Sequence, residues 1–361
     1  MKNILALCLS PDKGGLELYF LKLVEYYKIQ GLAISVASLE NSHITKNISD
    51  NLITCPSRGL FKRFRSFLRI RNFMIKKSLD VIHVSWGKDL LLAVMLKIFT
   101  PANIKIIYYR QMKITRPKKD IFHKFIYKNI SKILVITEKL REEAIKYLPL
   151  NEDKIIKLTY GIKKPDNDSI IKRKNFFKEN NMNPNNFTIG IFSRIEEQKG
   201  QHLVIQAISE IDYDIQVFII GHCMNQTYKR KLLSISSDKG LNNSIIFLDF
   251  VESPMTIMPC FDLIILPTYE ETFGLIVAES MLMGVPVIGS NAGGVPEIIK
   301  NEINGLLFQT KNYQSLRDKI KLLIEDDQMR NRIKDEGIKY SNSQYDYNSH
   351  FKKLQSIFDN L

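Results

Sequence analysis

Two successive series of short, uninterrupted apolar runs, spaced by longer amphipathic stretches, constrain this chain more than any other feature. The first series is Ile4–Leu9, Ala33–Ser38, Val81–Ser85, Ile104–Tyr109 and Ile133–Thr137. The second is Thr188–Phe192, Ile215–Ile220, Ile245–Phe247, Leu263–Leu266 and Val287–Gly289. Continuous Val/Ile/Leu runs of this length predict strands of a parallel sheet covered on both faces. Helices are expected in the gaps, over Leu16–Gln30, Leu60–Ser78, Asp89–Phe99, Glu138–Tyr147, His202–Glu210, Tyr228–Ser236 and Leu275–Met283. The stretch Lys163–Asn186 between the series is polar, has prolines at 165 and 184, and reads as a linker plus the lead-in to a second domain. At 361 residues the chain exceeds one ordinary core and suits two α/β domains. The expected division is 1–164, 165–343, and a helical tail over 344–361 that returns to the first domain. Two doubly wound sheets in sequence predict a cleft between the domains, with ligand sites at the carboxyl ends of the strands.

Charge is placed unevenly. Residues 1–165 hold 31 Lys and Arg against 13 Asp and Glu, whereas the remainder holds 21 against 25, within a net charge of +14. A basic first half points to an anionic partner: a membrane surface, a phosphorylated acceptor or nucleic acid. Lysine-rich composition that merely keeps the protein in solution is the plainer reading. Nucleic acid is set aside because no recognisable binding module accompanies the charge. The stretch from Leu60 to Lys77 interleaves aromatics with cations; on a helix Phe64, Phe67, Leu68, Met74 and Ile75 are expected on one side and Arg65, Arg69 and Lys76 on another. That pattern fits a helix lying on anionic lipid, and equally a sheet-covering helix with a solvated basic face. The four cysteines are scattered without paired or metal-ligand spacing, as buried thiols in a reducing compartment would be. No apolar run approaches about 18 residues, and the amino terminus reads as a buried strand rather than a signal peptide. The expected location is therefore cytoplasmic, with a peripheral place on the inner face of the cell membrane as its companion.

Chemistry concentrates between Pro267 and Glu279. A buried run ends at Pro267, a polar turn carries Glu270 and Glu271, and a helix follows, with Thr272 as its expected cap. The backbone N–H groups of Phe273, Gly274 and Leu275 then lie at a helix start, where orphan donors and the helix dipole attract a phosphate. Gly274 lets a ligand approach the backbone closely. Glu279, expected about two turns into the helix, is placed to accept from both hydroxyls of a ribose, while Glu271 stays on the turn facing the cleft.

This run resembles the signature of the retaining family-4 glycosyltransferases of the GT-B fold. Glu271 and Glu279 have the Glu-x7-Glu spacing, and Gly284-Val-Pro-Val287, Gly293-Gly294-Val-Pro-Glu297 and Asn304-Gly305-Leu-Leu follow in one contiguous match. Weaker likenesses are Ser193-Arg194 with Lys199-Gly200, the pair Gly14-Gly15, and Tyr160-Gly-Ile162. The resemblance implies two Rossmann-like domains facing a central cleft and transfer of a hexose from a nucleotide diphosphate, a UDP-sugar rather than a GDP-sugar. The acceptor would be a hydroxyl of a glycan or lipid-linked glycan in cell-surface polysaccharide or lipopolysaccharide synthesis. It implies retention, no metal, and no cofactor beyond the co-substrate. Arg194 and Lys199 would hold the diphosphate, Glu279 the ribose and Glu271 the transferred sugar. Gly14 and Gly15 would lie near the donor phosphate, and the departing phosphate would take the acceptor proton. The family often places a histidine on the fourth predicted strand of domain one, where this chain has Arg110. An arginine stays protonated and serves no base role, but it can orient an acceptor or stabilise a phosphate. His83 is a second candidate near the cleft, or a strand-end histidine with a satisfied hydrogen bond. The competing functional reading is a non-catalytic sugar-nucleotide-binding partner of another transferase.

Overall fold

The computed structural model describes residues 3–56 and 60–361, and in the helix that begins at Leu60 the side chains from Phe64 onward. The other residues, among them the first four side chains of the basic stretch, lie outside the described ones. The chain forms two compact units, Met1–Gly161 with Tyr347–Leu361, and Ile162–Asp346.

The first unit runs β1 (Ile4–Cys8), α1 (Gly15–Ile29), β2 (Ile34–Leu39), α2 (His43–Lys46), β3 (Leu52–Cys55), α3 (Leu60–Lys76), β4 (Val81–Val84), α4 (Leu90–Phe99), β5 (Lys105–Arg110), α5 (Ile121–Lys128), β6 (Lys132–Val135), α6 (Glu138–Tyr147) and β7 (Ile155–Lys157). Its strands pair in the order β3-β2-β1-β4-β5-β6-β7, all parallel. β1 is buried throughout, as a central strand flanked on both sides must be. Strand order reverses beside it, so right-handed crossovers put α1 and α2 on one face of the sheet and α3 to α6 on the other. β3 and β7 lacked a sequence signal because each is short, four and three residues, with its apolar run cut by a polar residue.

The second unit repeats the plan with α7 (Arg173–Glu179), β8 (Phe187–Phe192), α8 (Gln201–Ile208), β9 (Ile215–Ile220), α9 (Gln226–Asp238), β10 (Ile245–Leu248), β11 (Leu263–Leu266), α10 (Leu275–Leu282), β12 (Val287–Ser290), α11 (Val295–Ile298), β13 (Leu306–Phe308), α12 (Tyr313–Glu325) and α13 (Asp327–Gln344). Its parallel order is β10-β9-β8-β11-β12-β13, reversing between β8 and β11. The doubly wound α/β architecture expected from the alternation is present in both units. α7 falls where the sequence reads as linker. Only Phe176 and Phe177 of that helix are apolar enough to bury; they pack against Phe218 and Phe261, and Arg173 pairs with Asp262 at 2.8 Å.

The last helix, α14 (Tyr347–Asp359), belongs to the first unit and packs on its α1 face. Phe351 stacks on Tyr26 with centroids 4.3 Å apart, and Phe358 meets Tyr27. Each such fully buried side chain contributes about 2 kcal/mol. His350 and the Tyr19 hydroxyl share a 2.8 Å hydrogen bond in this layer. His83 lies in the same layer, fully buried within β4 between Tyr109 and Phe358. It is therefore a core residue under α14 rather than one at a strand end. Neither of its ring nitrogens has a hydrogen-bond partner among the described residues, contrary to the satisfied histidine expected. No helix among the described residues is long and apolar enough to cross a membrane.

Burial lowers the pKa of His83 from its ordinary 6.5 to about 3 and that of His350 to about 4. Both stay neutral in the fold, while the unfolded chain takes up protons below 6.5. Stability is thus full above pH 6.5 and is lost as pH falls toward 3, by about 1.4 kcal/mol per pH unit for each such group. Replacing His83→Leu should flatten that acid-side fall by one proton's worth, read from urea unfolding of the full chain between pH 4 and pH 7; unchanged slopes would refute the assignment.

Candidate functional site

In a parallel sheet the loops beyond the two strands where order reverses depart to opposite faces and leave a ligand crevice at the carboxyl edge. In the second unit those loops are Ser193–Gly200 after β8 and Pro267–Gly274 after β11. They are laced together. The Tyr269 N–H donates to the Gln198 carbonyl at 2.8 Å, the Thr268 hydroxyl donates to the Glu270 carbonyl at 2.9 Å, and the Ser290 hydroxyl donates to the Thr268 carbonyl at 2.6 Å. Lys199 Nζ lies 2.9 Å from Glu271 Oε2 with both side chains largely covered, 17% and 25% exposed. Arg194, more exposed, pairs with Glu196 at 2.9 Å. The two cations thus come from one loop, each beside its own carboxylate.

Two glycines make the lacing possible. Gly200 has φ +69°, and a Cβ there would stand 2.2 Å from the Pro267 carbonyl oxygen. At Gly293, φ is +61° and a Cβ would stand 1.8 Å from the oxygen of Glu271, while the Gly294 N–H donates to that oxygen at 2.8 Å. The Gly293-Gly294 step read from the sequence therefore seats the β12 loop on the backbone of Glu271. A side chain at either position would push the loops apart.

α10 begins at Leu275, where the sequence places it, but its cap differs. Its cap is Gly274 in the left-handed conformation, φ 99°, and not Thr272, whose N–H instead donates to the Glu271 carboxylate at 3.2 Å. No side chain caps this start, so the first N–H groups of the helix, Leu275 and those beside it, are not engaged by a capping side chain. Phe273 contributes backbone alone, since its ring is buried against Tyr345 at 5.7 Å. Glu279 is 5% exposed and, with the helix starting at Leu275, stands just over one turn in rather than two.

Several residues that support these loops carried no motif. Gln201 is fully buried and donates to Ser193 Oγ at 3.0 Å and to the Arg194 carbonyl at 2.8 Å, fixing the loop that bears the cations. His202 joins two hydroxyls, Tyr228 at 2.8 Å on Nδ1 and Tyr269 at 2.9 Å on Nε2. Burial lowers its pKa, and a neutral imidazole has the one donor and one acceptor that such a bridge needs. The only sequence signal for either was position, directly after Lys199-Gly200.

In the first unit the corresponding loop is Leu9–Gly14, after β1, and buried carboxylates hold both its ends. Asp89 accepts from the Leu9 N–H at 2.8 Å, and Glu17 accepts from the Gly14 N–H at 2.9 Å. Gly14 has an extended backbone, and nothing lies within 4 Å of a Cβ at Gly15, so the pair leaves open space rather than relieving strain. Arg110 ends β5, buried, with Nη1 donating to the Tyr108 hydroxyl at 3.1 Å and Nη2 to the Lys113 carbonyl at 2.7 Å. Its guanidinium thus ties the loop after β5 to the end of the strand, one donor on the Lys113 carbonyl and one on Tyr108. Among the described residues no group of three or more His, Cys, Asp or Glu is placed to hold a metal ion.

Burial raises the pKa of Asp89 from 3.8 to about 7. Its contribution to stability is full below 3.8 and is lost as pH rises to 7. Asp89→Asn keeps an acceptor for Leu9 and should raise Tm relative to the parent at pH 8 but not at pH 4. Gly293→Ala should cost about 1–3 kcal/mol from its backbone conformation alone, seen as a lowered urea midpoint; an unchanged midpoint would show that the loop does not need glycine there.

Residues 172–340 match the family described as "Glycosyl transferases group 1", and residues 6–137 match "Glycosyl transferase 4-like". The Staphylococcus aureus capsular polysaccharide biosynthesis glycosyltransferase CapM is 21% identical over 358 residues, covering 93% of this chain and 92% of its own. The Escherichia coli O-antigen biosynthesis glycosyltransferase WclY is 29% identical over 256 residues, covering 68% and 69%. Among solved structures, Anabaena Alr3699/HepE in complex with UDP superposes with a TM-score of 0.87 at 19% identity, over 99% of this chain and 100% of that one. With a 4-like domain at its amino-terminal side, a group 1 domain following, and a doubly wound parallel sheet in each, the chain is a glycosyltransferase of the GT-B fold.

Proposed function

We propose that this protein moves a hexose from a UDP-sugar to a hydroxyl of a glycan or lipid-linked glycan, with retention at the anomeric carbon, during cell-surface polysaccharide or lipopolysaccharide synthesis. The observation that carries the donor half is the Lys199–Glu271 pair, which ties the two switch-point loops beside an uncapped helix start. A diphosphate at that start meets backbone N–H groups and the positive end of α10. Lys199 then exchanges Glu271 for a phosphate oxygen, and Arg194 leaves Glu196 for the same group. Glu271, released, accepts from hydroxyls of the transferred sugar. Glu279 accepts from the ribose.

Charge accumulates on the leaving diphosphate as the glycosidic bond to it breaks. Two cations and the helix start stabilise that charge more in the transition state than in the ground state, the work otherwise given to a metal ion. The departing phosphate oxygen takes the acceptor proton, so no protein base is required and an arginine at position 110 is no obstacle. Gly14 and Gly15, on a loop pinned at both ends, offer backbone and open space to the donor phosphate. Retention rests on the likeness of the Glu271-to-Gly305 run to the retaining family. The polysaccharide setting rests on the kinship with CapM and WclY, and the choice of UDP on the kinship in fold with the UDP-bound Anabaena protein.

Incubating the full chain with labelled UDP- and GDP-sugars, with and without EDTA, tests the reading. Donor turnover that prefers UDP-sugars and survives EDTA is expected; tight nucleotide binding without any turnover, or turnover abolished by EDTA, would overturn it. Within the site, Lys199→Ala should lower kcat about 100-fold or more. Glu279→Ala should raise the Kd for UDP about tenfold, whereas Glu271→Ala should fall mainly on kcat. Parental constants in all three variants would remove these residues from the site.

A further inference from the structure

The first unit carries a surface that the transfer reaction does not account for. Of the sixteen large apolar side chains exposed on the described chain, ten lie between Phe64 and Phe125. Nine of the ten sit on three consecutive helices, with Phe64 and Leu68 on α3, Ile98 and Phe99 on α4, and Ile121 and Phe122 on α5 prominent among them; the tenth, Met112, is in the loop after β5. Ile121 is 87% exposed.

The helices are neighbours on one face of the sheet. Phe67 of α3 meets Phe99 of α4 edge-on at 6.0 Å, Arg71 of α3 donates to the Phe99 carbonyl, and Lys97 of α4 donates to the Asn129 carbonyl at the end of α5 at 2.8 Å. α3 has two apolar faces. Ile70 and Met74 are buried toward the sheet, whereas Phe64, Leu68 and Ile75 recur along a second, outward stripe at intervals of four and seven residues. The single apolar side expected from the sequence is thus divided: Met74 turns inward, Phe67 is half-buried against α4, and Phe64, Leu68 and Ile75 face outward.

Charge is concentrated in the same segment. Residues 60–128 hold 17 Lys and Arg against three Asp and Glu, a balance of +14 that equals the net charge of the whole chain. Of the three acids Asp89 is buried, and Asp120 is engaged as the cap of α5 and in a 2.5 Å contact with His123. A solvated helix face has no use for rings and branched aliphatics in the open. A protein-binding core is depleted of lysine, and a second copy would bring two strongly positive faces together. Apolar side chains interleaved with cations, on helices too short to span, match a bilayer surface with anionic headgroups.

We propose that the α3–α4–α5 face is a docking surface for an anionic lipid bilayer, its apolar side chains entering the acyl boundary and its cations meeting the headgroups. The proposal does not rest on the transfer reaction, and its test reads binding. The full chain is sedimented with sucrose-loaded phosphatidylcholine vesicles with and without phosphatidylglycerol, at low and high salt, beside the double variants Ile121→Ser with Phe122→Ser and Lys124→Glu with Lys128→Glu. Partition at least about tenfold greater onto the anionic vesicles, weakened by salt, is expected. Each double variant should lose about tenfold or more, with Tm unchanged because these side chains are exposed. Equal partition onto both vesicles, or variants that sediment like the parent, would overturn the proposal. So would light scattering that finds a lipid-free dimer which Ile121→Ser with Phe122→Ser makes monomeric, since the face would then be a contact between copies.

Discussion

Strand order reverses between β1 and β4 and again between β8 and β11, and nearly every functional feature follows from those two reversals. A right-handed crossover sends the chain to one face of the sheet when it moves left and to the other when it moves right. Beside a reversal the two outgoing loops therefore diverge at the carboxyl edge. In the second unit the chain fills that divergence with its own polar groups: a carbonyl of one loop held by an N–H of the other, and a lysine of one beside a glutamate of the other. A half-covered ion pair of this kind adds little net stability. It does hold a cation and a carboxylate side by side at the carboxyl edge of the sheet.

Glycine is the price of that closeness. Gly200 and Gly293 each lie where a Cβ would meet a carbonyl oxygen of the opposing loop, and both have left-handed backbones. Gly274 shows a third use, ending the loop and opening a helix whose first donors no side chain claims. The loop of the first unit is held differently, by the buried carboxylates of Asp89 and Glu17 on its end N–H groups. One unit closes its loops on each other, and the other pins a single loop at both ends and leaves space beside its glycines.

The two faces of the first sheet are also treated differently. α14 closes the α1 face with stacked aromatics and two histidines kept neutral by burial. The opposite face, α3 to α5, keeps rings and aliphatic side chains in the open among cations. Covering one face from the far end of the chain ties the stability of the first unit to a segment separated from it by the whole second unit.

Buried strands, and the strand, turn and helix around Glu271, were legible because both are local. A central parallel strand must be apolar at every position, so Leu263–Leu266 and Ile215–Ile220 emerge with the bounds the sequence predicts. The run from Leu263 to Ser290 likewise reads as strand, turn, helix and strand in order. The cap of that helix was misplaced at Thr272, because a left-handed glycine cap leaves no side-chain signature whereas a threonine suggests one. His83 was misjudged because a histidine in an apolar run has no mark that tells a strand end from a core. The sequence by itself determined the class of fold and the order of strand, turn and helix along each unit, since strand burial depends on neighbours in the chain. Only the tertiary structure decided what each charged group touches: Lys199 finds Glu271 72 residues away, and His83 meets Phe358 of the last helix. Such partners are chosen where loops and faces converge in space, and no spacing along the chain records that meeting.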